Sequence, residues 1–216
     1  MLKETVLCLC AHNDDHILGA GGTLAKYAKE GKHIIVVIFS YGELTHPHLK
    51  RKIIVETRVK EAKRAEKLLG TDELYFIGLK EGNFVKEIND KKILKKLINI
   101  IKERKPSKIF THSRDDPHRD HKAVYNFTLN LVQKTNYKGD VFTFNVWNFF
   151  LNLRKGVLPK LVVDISDTFK AKIEALNKHK SQKLILMQFM WNVYLQAWLN
   201  GILHNMKYAE VFYKIK

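Results

Sequence analysis

Four short apolar runs, each followed by a segment long enough for a helix, divide the first half of this 216-residue chain. Their short length and β-branched content indicate strands, and their near-continuous apolar character indicates burial on both faces. Strands that alternate with helices form βαβ units around a mostly parallel sheet. We therefore expect a doubly wound α/β sheet whose first four strands are Thr5–Ala11, His33–Phe39, Glu73–Ile77 and Lys108–Thr111.

The remaining elements follow from apolar periodicity and from glycine or proline at their ends. No repeat, low-complexity tract or linker interrupts them, so we predict a single domain, 1–216. Helices are expected at Gly19–Glu30, Lys50–Leu69, Glu87–Lys105, Asp120–Lys134, Asp167–Lys180 and Ser181–Asn200, with later strands at Val141–Trp147, Lys160–Asp164 and Lys207–Lys214 and a polar loop at Ser40–His48.

The formal charge of +16 has two interpretations. It could be a footprint for nucleic acid, an anionic lipid surface or an acidic substrate, or it could be a solvated lysine-rich surface. The lysines are scattered and not interleaved with aromatic residues, which favours the second interpretation and predicts no nucleic-acid partner. Cys8 and Cys10 share one face of a strand and are read as buried apolar residues. The first strand follows the initial methionine almost directly, so we expect a cytoplasmic protein.

The segment Leu184–Met206 contains no charged residue. A polar side chain recurs every four residues within it, and each buried amide would cost a few kcal/mol in hydrocarbon. We therefore predict no integral membrane span. A core-facing helix, a subunit interface that makes a homo-oligomer, and a lipid-surface contact remain as alternatives for this segment. The polar residues are Gln188, Asn192, Gln196, Asn200 and His204.

Two clusters of histidine and aspartate, His12–His16 and His112–His121, follow the first and fourth predicted strands. Ligand sites in open α/β sheets lie beyond the carboxyl ends of the strands. A structural zinc site uses four protein ligands, usually including cysteine. The two cysteines of this chain lie within the first predicted strand and outside both clusters. Two histidines with one carboxylate and an open position are the catalytic pattern. The sequence therefore predicts a catalytic metal site.

These clusters belong to a longer series of motifs that resembles the LmbE-like, or PIG-L, metal-dependent N-deacetylases. The resemblance extends over nearly the whole chain, and it implies a three-layer α/β/α Rossmann-like sandwich with a mostly parallel sheet. The motifs are Ala11–Asp15 with Gly19–Leu24, Glu56–Gly70, Phe76–Gly82, Phe110–His121, Ile173–Gln182 and Tyr208–Phe212.

The resemblance also implies the roles of individual residues. The zinc ligands would be His12, Asp15 and His121, and Fe²⁺ is the alternative metal. Asp14 corresponds to the general base. His118 corresponds to the histidine that supports the oxyanion and helps to protonate the leaving amine. Two further residues complete the set, Asp120, which would orient His118 and favour its charged form, and Arg58, which would bind sugar hydroxyl groups.

Four positions depart from the family pattern. Asn13, Lys80 and Arg119 stand where the family has proline, and His16 stands where it has glutamate. For His16 we consider three roles: a side chain that contacts the metal ligands without binding the metal, a side chain that contacts the substrate, or a neighbour of the site with no part in it. Arg119, with Arg114, would either attract an anionic group of the substrate or point to solvent.

The predicted function is zinc-dependent removal of the N-acetyl group from an N-acetylglucosamine-containing small molecule or oligosaccharide. Within the family, glucosaminyl-inositol, glucosaminyl-malate and chito-oligosaccharide substrates occur, and the sequence does not select among them. Two alternatives use the same features differently. One is a metal-dependent phosphoesterase with the same ligands, and the other is a non-enzymatic nucleic-acid-binding protein that uses the basic surface.

Overall fold

The computed structural model describes residues 3–45, 50–147 and 159–216. Within these residues seven strands and seven helices alternate along most of the chain. The strands are β1 Thr5–Cys10, β2 His33–Ser40, β3 Glu73–Leu79, β4 Lys108–His112, β5 Asp140–Phe144, β6 Lys160–Asp164 and β7 Ala209–Lys214. The helices are α1 Asp15–Lys29, α2 Arg51–Leu69, α3 Phe84–Glu87, α4 Lys91–Arg104, α5 Arg119–Lys134, α6 Phe169–Leu176 and α7 Lys183–Leu203.

All described strands lie in one sheet of order β3-β2-β1-β4-β5-β7-β6. The first five in this order pair in parallel, and β7 pairs antiparallel with both β5 and β6. The predicted mostly parallel α/β sheet is therefore confirmed. β1 lies near the middle, between β2 and β4, and all six of its residues are buried.

Helices cover both faces of this sheet, which makes three layers. Alternate residues of β1 enter opposite cores, as strand geometry requires. Val6, Cys8 and Cys10 face the core that contains residues of α1, α2, α6 and α7. Leu7 and Leu9 face the core that contains residues of α3, α4 and α5. The two cysteines are free and buried, as the sequence predicted.

Several predicted boundaries were wrong, and polar side chains explain two of them. The helix expected at Asp167–Lys180 is α6, which ends at Leu176. The helix expected at Glu87–Lys105 begins four residues later, at Lys91, because Asp90 caps α4 by accepting the N–H of Lys92 at 2.6 Å. The short helix α3 ends at Glu87, where the predicted helix was to begin. The strand expected to reach Trp147 ends at Phe144, and Asp116 accepts the N–H groups of Val146 and Trp147 beyond it. Helix α1 begins at Asp15, four residues earlier than expected.

The predicted polar loop Ser40–His48 contains a 3-10 turn at Glu43–Thr45, and residues 46–49 lie outside the described part of the chain. The uncharged segment forms α7, which packs one face against the sheet and exposes the other. Among the described helices none is long and apolar enough to cross a membrane.

Candidate metal centre

The first half of the centre is the turn that joins β1 to α1. The N–H of His12 donates to Asp15 Oδ2 at 2.7 Å, which folds the carboxylate of the first helical residue back over the turn. A carboxylate is also favourable in the first turn of a helix because free N–H groups point towards it. The result is that His12 Nδ1 and Asp15 Oδ2 lie 3.2 Å apart, with both residues buried.

The second half comes from the first turn of α5, which follows the adjacent strand β4. His121 is fully buried, and its Nε2 lies 3.3 Å from His12 Nδ1 and 3.3 Å from Asp15 Oδ1. Tetrahedral ligands at about 2.0–2.1 Å from a zinc ion lie about 3.3 Å from one another. The two histidine nitrogens are 3.3 Å apart and each lies 3.2–3.3 Å from one oxygen of Asp15, so the three residues are close enough to hold one small divalent cation.

Each histidine of this trio has a carboxylate beside its other ring nitrogen. Asp116 Oδ1 lies 3.0 Å from His121 Nδ1, and Asp120 Oδ2 lies 3.4 Å from His12 Nε2. Carboxylates in such positions fix the tautomer and orientation of metal-binding imidazoles and raise their basicity. Asp116 had no role assigned from the sequence, although it lies within the second histidine-rich cluster.

The charges of the centre favour a cation. Burial alone would raise the pKa of the Asp15 carboxyl, but His121 and His12 hold that pKa well below its usual range. In return, Asp15 raises the pKa of His121 to about 9 against the opposing effect of burial, and Asp116 contributes to the same shift. Asp15 and Asp120 likewise raise the pKa of His12 well above its ordinary value, although burial opposes them. Protons and a metal ion would compete for this negative pocket.

His112 is a further buried histidine that sequence reasoning did not assign. Its ring stacks on that of His121 at a centroid distance of 3.9 Å, and its Nε2 accepts the N–H of Ala11 at 3.0 Å. Burial and the neighbouring His121 lower the pKa of His112 to about 4, so the ring is neutral. Through its hydrogen bond from Ala11, His112 connects the end of β4 to the end of β1, and its ring packs behind His121.

A pocket of about 510 Å³ of empty space, partly open to solvent, lies directly over the centre. Asp14 lines it together with His12 and Asp15 and is only 8% exposed. The other lining residues are Leu18, Arg58, Glu81, His118, Val146, Trp147, Gln182, Ile185, Leu186 and Phe189. The predicted metal, catalytic and substrate residues thus meet in or beside one pocket.

One expected contact was wrong. The carboxylate of Asp120 points to His12 Nε2 and accepts the N–H of Gly82 at 2.8 Å, while the main-chain N–H of Asp120 donates to His118 Nδ1 at 3.2 Å. Burial and the nearby His121 and His12 lower the pKa of His118. The neutral ring is therefore favoured, not the charged form that the sequence led us to expect.

Arg58 reaches the pocket from α2 and is almost completely buried, with 2% exposure. Its Nε donates to the carbonyl of Tyr41 at 3.2 Å, and its Nη1 has no hydrogen-bond partner within the described residues. Gly42 packs against the guanidinium with a φ of 70°, and a Cβ there would collide with Nη2. A buried guanidinium with an unused donor is costly unless a ligand satisfies it.

A family model described as PIG-L, GlcNAc-PI de-N-acetylase, matches residues 7–132, more than half of the chain and both halves of the centre. The chain belongs to the PIG-L family. Its resemblance to diacetylchitobiose deacetylase of Thermococcus kodakarensis extends over 96% of this chain and 81% of that protein at 22% identity. The family model and this relative confirm, at the level of enzyme class, the N-deacetylase activity predicted from the sequence.

Two solved structures share the PIG-L fold of this chain. N,N'-diacetylchitobiose deacetylase from Pyrococcus horikoshii superposes with a TM-score of 0.80 at 23% identity, covering 98% of this chain and 84% of that one. GalB, the 4-carboxy-2-hydroxymuconate hydratase of Pseudomonas putida KT2440, gives 0.82 at 19% identity, covering 99% and 96%. Because this fold also supports a hydratase, the reaction has to be argued from the site and the relatives.

The departures from the PIG-L pattern lie mostly outside the pocket. His16 is fully buried, with Nε2 2.5 Å from Glu66 Oε1 and Nδ1 3.4 Å from Cys10 Sγ, so it joins α1 to α2 and does not contact the pocket. Asn13 donates to the carbonyl of Arg58 at 3.1 Å and holds that residue's main chain. Arg119 is exposed and lines a separate cavity, which favours the second of its two alternatives, a side chain that points to solvent.

Proposed function

We propose that this PIG-L enzyme removes the acetyl group from an N-acetylglucosamine-containing small molecule or oligosaccharide. The observation that carries the proposal is the trio His12, Asp15 and His121 beneath a pocket that also contains Asp14. The two histidine nitrogens are 3.3 Å apart, and each lies 3.2–3.3 Å from an oxygen of Asp15. The related diacetylchitobiose deacetylase supports an acetylated amino sugar as the substrate. We propose zinc as the metal, with Fe²⁺ as the alternative.

A zinc ion held by this trio would act as a Lewis acid that polarises the amide carbonyl and lowers the pKa of bound water to about 7. Asp14 immediately precedes Asp15 and lines the same pocket. Its carboxylate would accept a proton from the attacking water. It would then donate that proton to the amine nitrogen as the C–N bond breaks, so that Asp14 acts first as the base and then as the acid.

His118 would stabilise the oxyanion that forms on the acetyl carbonyl. Its Nδ1 accepts the N–H of Asp120, so the proton of the neutral ring must be on Nε2. A neutral imidazole with a fixed N–H donor is suited to an oxyanion, and one such donor contributes about 3–4 kcal/mol to transition-state stabilisation. The lowered pKa of His118 favours this neutral donor.

Arg58 and the apolar wall would hold the sugar. Arg58 Nη1 is a buried donor without a partner in the described residues, and a sugar hydroxyl group would satisfy it. The rings of Trp147 and Phe189 also line the pocket, and the apolar face of a pyranose ring can pack against them. Among the described residues that line this pocket, Arg58 is the only arginine or lysine, so the lining has no cluster of such side chains that would mark a phosphate site.

The experiment is a substrate panel with zinc-loaded and Fe²⁺-loaded enzyme. We expect acetate and a free amine from N-acetylglucosamine, N,N'-diacetylchitobiose or an N-acetylglucosaminyl conjugate, and loss of this activity on chelation. Phosphomonoesters and phosphodiesters are included to test the phosphoesterase alternative. Release of phosphate without any acetate would replace the proposal with that alternative. No turnover of any N-acetylated amino sugar by fully metal-loaded enzyme would reject it.

A further inference from the structure

Helix α7 carries large apolar side chains on its exposed side as well as on its buried side. Its inner face, which includes Leu186, Phe189, Val193 and Ala197, packs into the core beside β7. Gly201 brings the helix against the main chain of Met206 and Lys207, where a Cβ would have no space. The solvent-facing side of a surface helix is normally polar and charged. The exposed side of α7 therefore needs an explanation.

This exposed side, which we call the outer face, carries large apolar residues along the whole helix. They are Leu184, Ile185, Met187, Trp191, Tyr194, Leu195, Trp198, Leu199, Ile202 and Leu203, with exposed fractions from 36% to 80%. Together they present on the order of 1,000 Å² of surface, above the 300–600 Å² of the largest patch on a typical monomer and sufficient for the roughly 800 Å² that each partner contributes to a standard interface.

The spacing of the outer face is that of a helix–helix contact. Leu184, Met187, Trp191, Tyr194 and Trp198 follow one another at intervals of three and four residues. Residues at such alternating intervals form one seam along a helix and insert between the side chains of a second helix. The outer face is thus built to pack against another helix.

The charge distribution selects a second copy of this chain as the partner. Each molecule has a formal charge of +16, so two copies repel each other unless they meet through an uncharged surface. α7 provides such a surface, because no charged residue occurs between Lys183 and Lys207. A surface that binds an acidic protein or an anionic membrane normally carries lysine or arginine among its apolar residues.

We propose that the outer face of α7 forms the interface of a two-fold symmetric homodimer. In such a dimer the same patch is used by both copies, and α7 packs against its symmetry mate. The interface would lie beside the active-site pocket, because Ile185 on the outer face and Leu186 and Phe189 on the inner face line that pocket. Trp147 at the rim of the pocket packs edge-to-face on Phe189 at 4.6 Å and is 41% exposed.

The test uses the 216-residue chain in light scattering coupled to size exclusion, and in sedimentation velocity over a concentration series. We expect twice the monomer mass at micromolar concentration. Trp198→Glu and Met187→Glu each place two like charges at the interface and should weaken dimerisation at least 100-fold. Val85→Glu is the matched control, because Val85 is 69% exposed on α3, away from the outer face, and should leave the dimer intact.

Tryptophan fluorescence provides a second readout that a folding defect would not imitate. The chain has three tryptophans, Trp147, Trp191 and Trp198, all of them half-exposed on or beside this face. Dilution of the native protein through the dissociation range should shift the emission to the red while far-UV circular dichroism stays constant.

A monomer at every concentration, or a dimer that Trp198→Glu and Met187→Glu leave unchanged while both remain folded, would overturn the proposal. If the monomer bound vesicles of anionic lipid through this face, the outer face would be assigned to a membrane surface. The acetate assay is run on the same samples, so that failure of the dimer and failure of the proposed deacetylation are recorded separately.

Discussion

His12 Nδ1 and His121 Nε2 lie 3.3 Å apart although 109 positions separate the two residues in the sequence. The contact exists because β1 and β4 are adjacent parallel strands, with Cys8 opposite Phe110. Their carboxyl ends therefore deliver His12 and, through the start of α5, His121 to the same edge of the sheet. The metal centre depends on this one strand pairing.

Removal of the Asp15 charge should remove the metal. In the Asp15→Asn variant, metal content measured by mass spectrometry is expected to fall from about one ion per chain to less than a tenth, because an amide is a poor ligand for zinc.

Asp116→Asn should lower zinc affinity by about 10–100-fold, as expected for a carboxylate that orients a metal-binding histidine. Asp115→Asn changes an exposed carboxylate of the same loop and should retain the metal.

Replacement of Asp14 should separate catalysis from metal binding. Asp14→Asn keeps the shape of the side chain but cannot accept a proton, so kcat for acetate release should fall by about 10²–10⁴-fold. Metal content and the melting temperature should stay close to those of the native protein. A variant that retains more than a tenth of the native kcat would show that Asp14 is not the base.

The sheet could be predicted from the sequence because burial on both faces leaves a local signature, a short run of apolar residues. The two clusters that supply the candidate trio were predictable for a similar reason, since His12–His16 and His112–His121 begin where two such runs end. The choice of His12, Asp15 and His121 within them came from the family resemblance. The role of Asp116 was not predictable in this way. It depends on bonds to Val146 and Trp147, which only the folded chain brings near.

Arg58 should contribute to substrate binding through geometry as well as charge. In Arg58→Lys the charge remains but the planar guanidinium is lost. The side chain can then no longer donate one hydrogen bond to the carbonyl of Tyr41, as Nε does, and a second one to a ligand hydroxyl group, as we propose for Nη1. We expect KM for the amino sugar to rise by about 10-fold, with a smaller change in kcat. Arg64→Lys, on the exposed side of the same helix, is the matched control. An unchanged KM would remove Arg58 from the site.

His16 should be important for stability. It forms a 2.5 Å pair with Glu66 in which the two side chains are 0% and 4% exposed, and His16→Ala leaves the buried carboxylate without this partner. Breaking such a pair costs about 3–5 kcal/mol of unfolding free energy. The pair of His33 with Glu73 at 2.7 Å is partly exposed, at 25% and 18%, and His33→Ala should cost less than about 1 kcal/mol. Urea unfolding of both variants would measure the difference, and equal losses would contradict it.

The environment of His16 also shows where a single sequence reaches its limit. Its position beside the metal motif suggested contact with the site, but a helix presents successive residues to different sides. The partner that decides its role, Glu66, lies 50 residues away on α2. For α7 the sequence could not reveal which side the sheet would cover, because large apolar residues occur on both the buried and the exposed side of the helix.

Stability should fall on acidification because of His179. This residue is 1% exposed and both ring nitrogens lack a hydrogen-bond partner within the described residues. Burial, assisted by Arg58 and His16, lowers its pKa to about 4, although Asp14 and Glu61 act in the opposite direction.

The unfolded chain, with a histidine pKa near 6.5, binds the proton more readily than the folded chain between pH 6.5 and pH 4. The contribution of His179 is therefore fully present above pH 6.5 and is lost as the pH falls towards 4. From pH 7 to pH 5 this single group should lower the unfolding free energy by about 2 kcal/mol.

The measurement is urea unfolding of metal-free protein at pH 7, 6 and 5, with chelator present so that metal release does not contribute to the pH dependence. His179→Gln cannot take up the proton, so its unfolding free energy should change less steeply with pH than that of the native protein, by about 2 kcal/mol over this range. The comparison uses slopes, which removes any constant destabilisation caused by the glutamine. Identical slopes in the two proteins would show that His179 is not held neutral in the folded state.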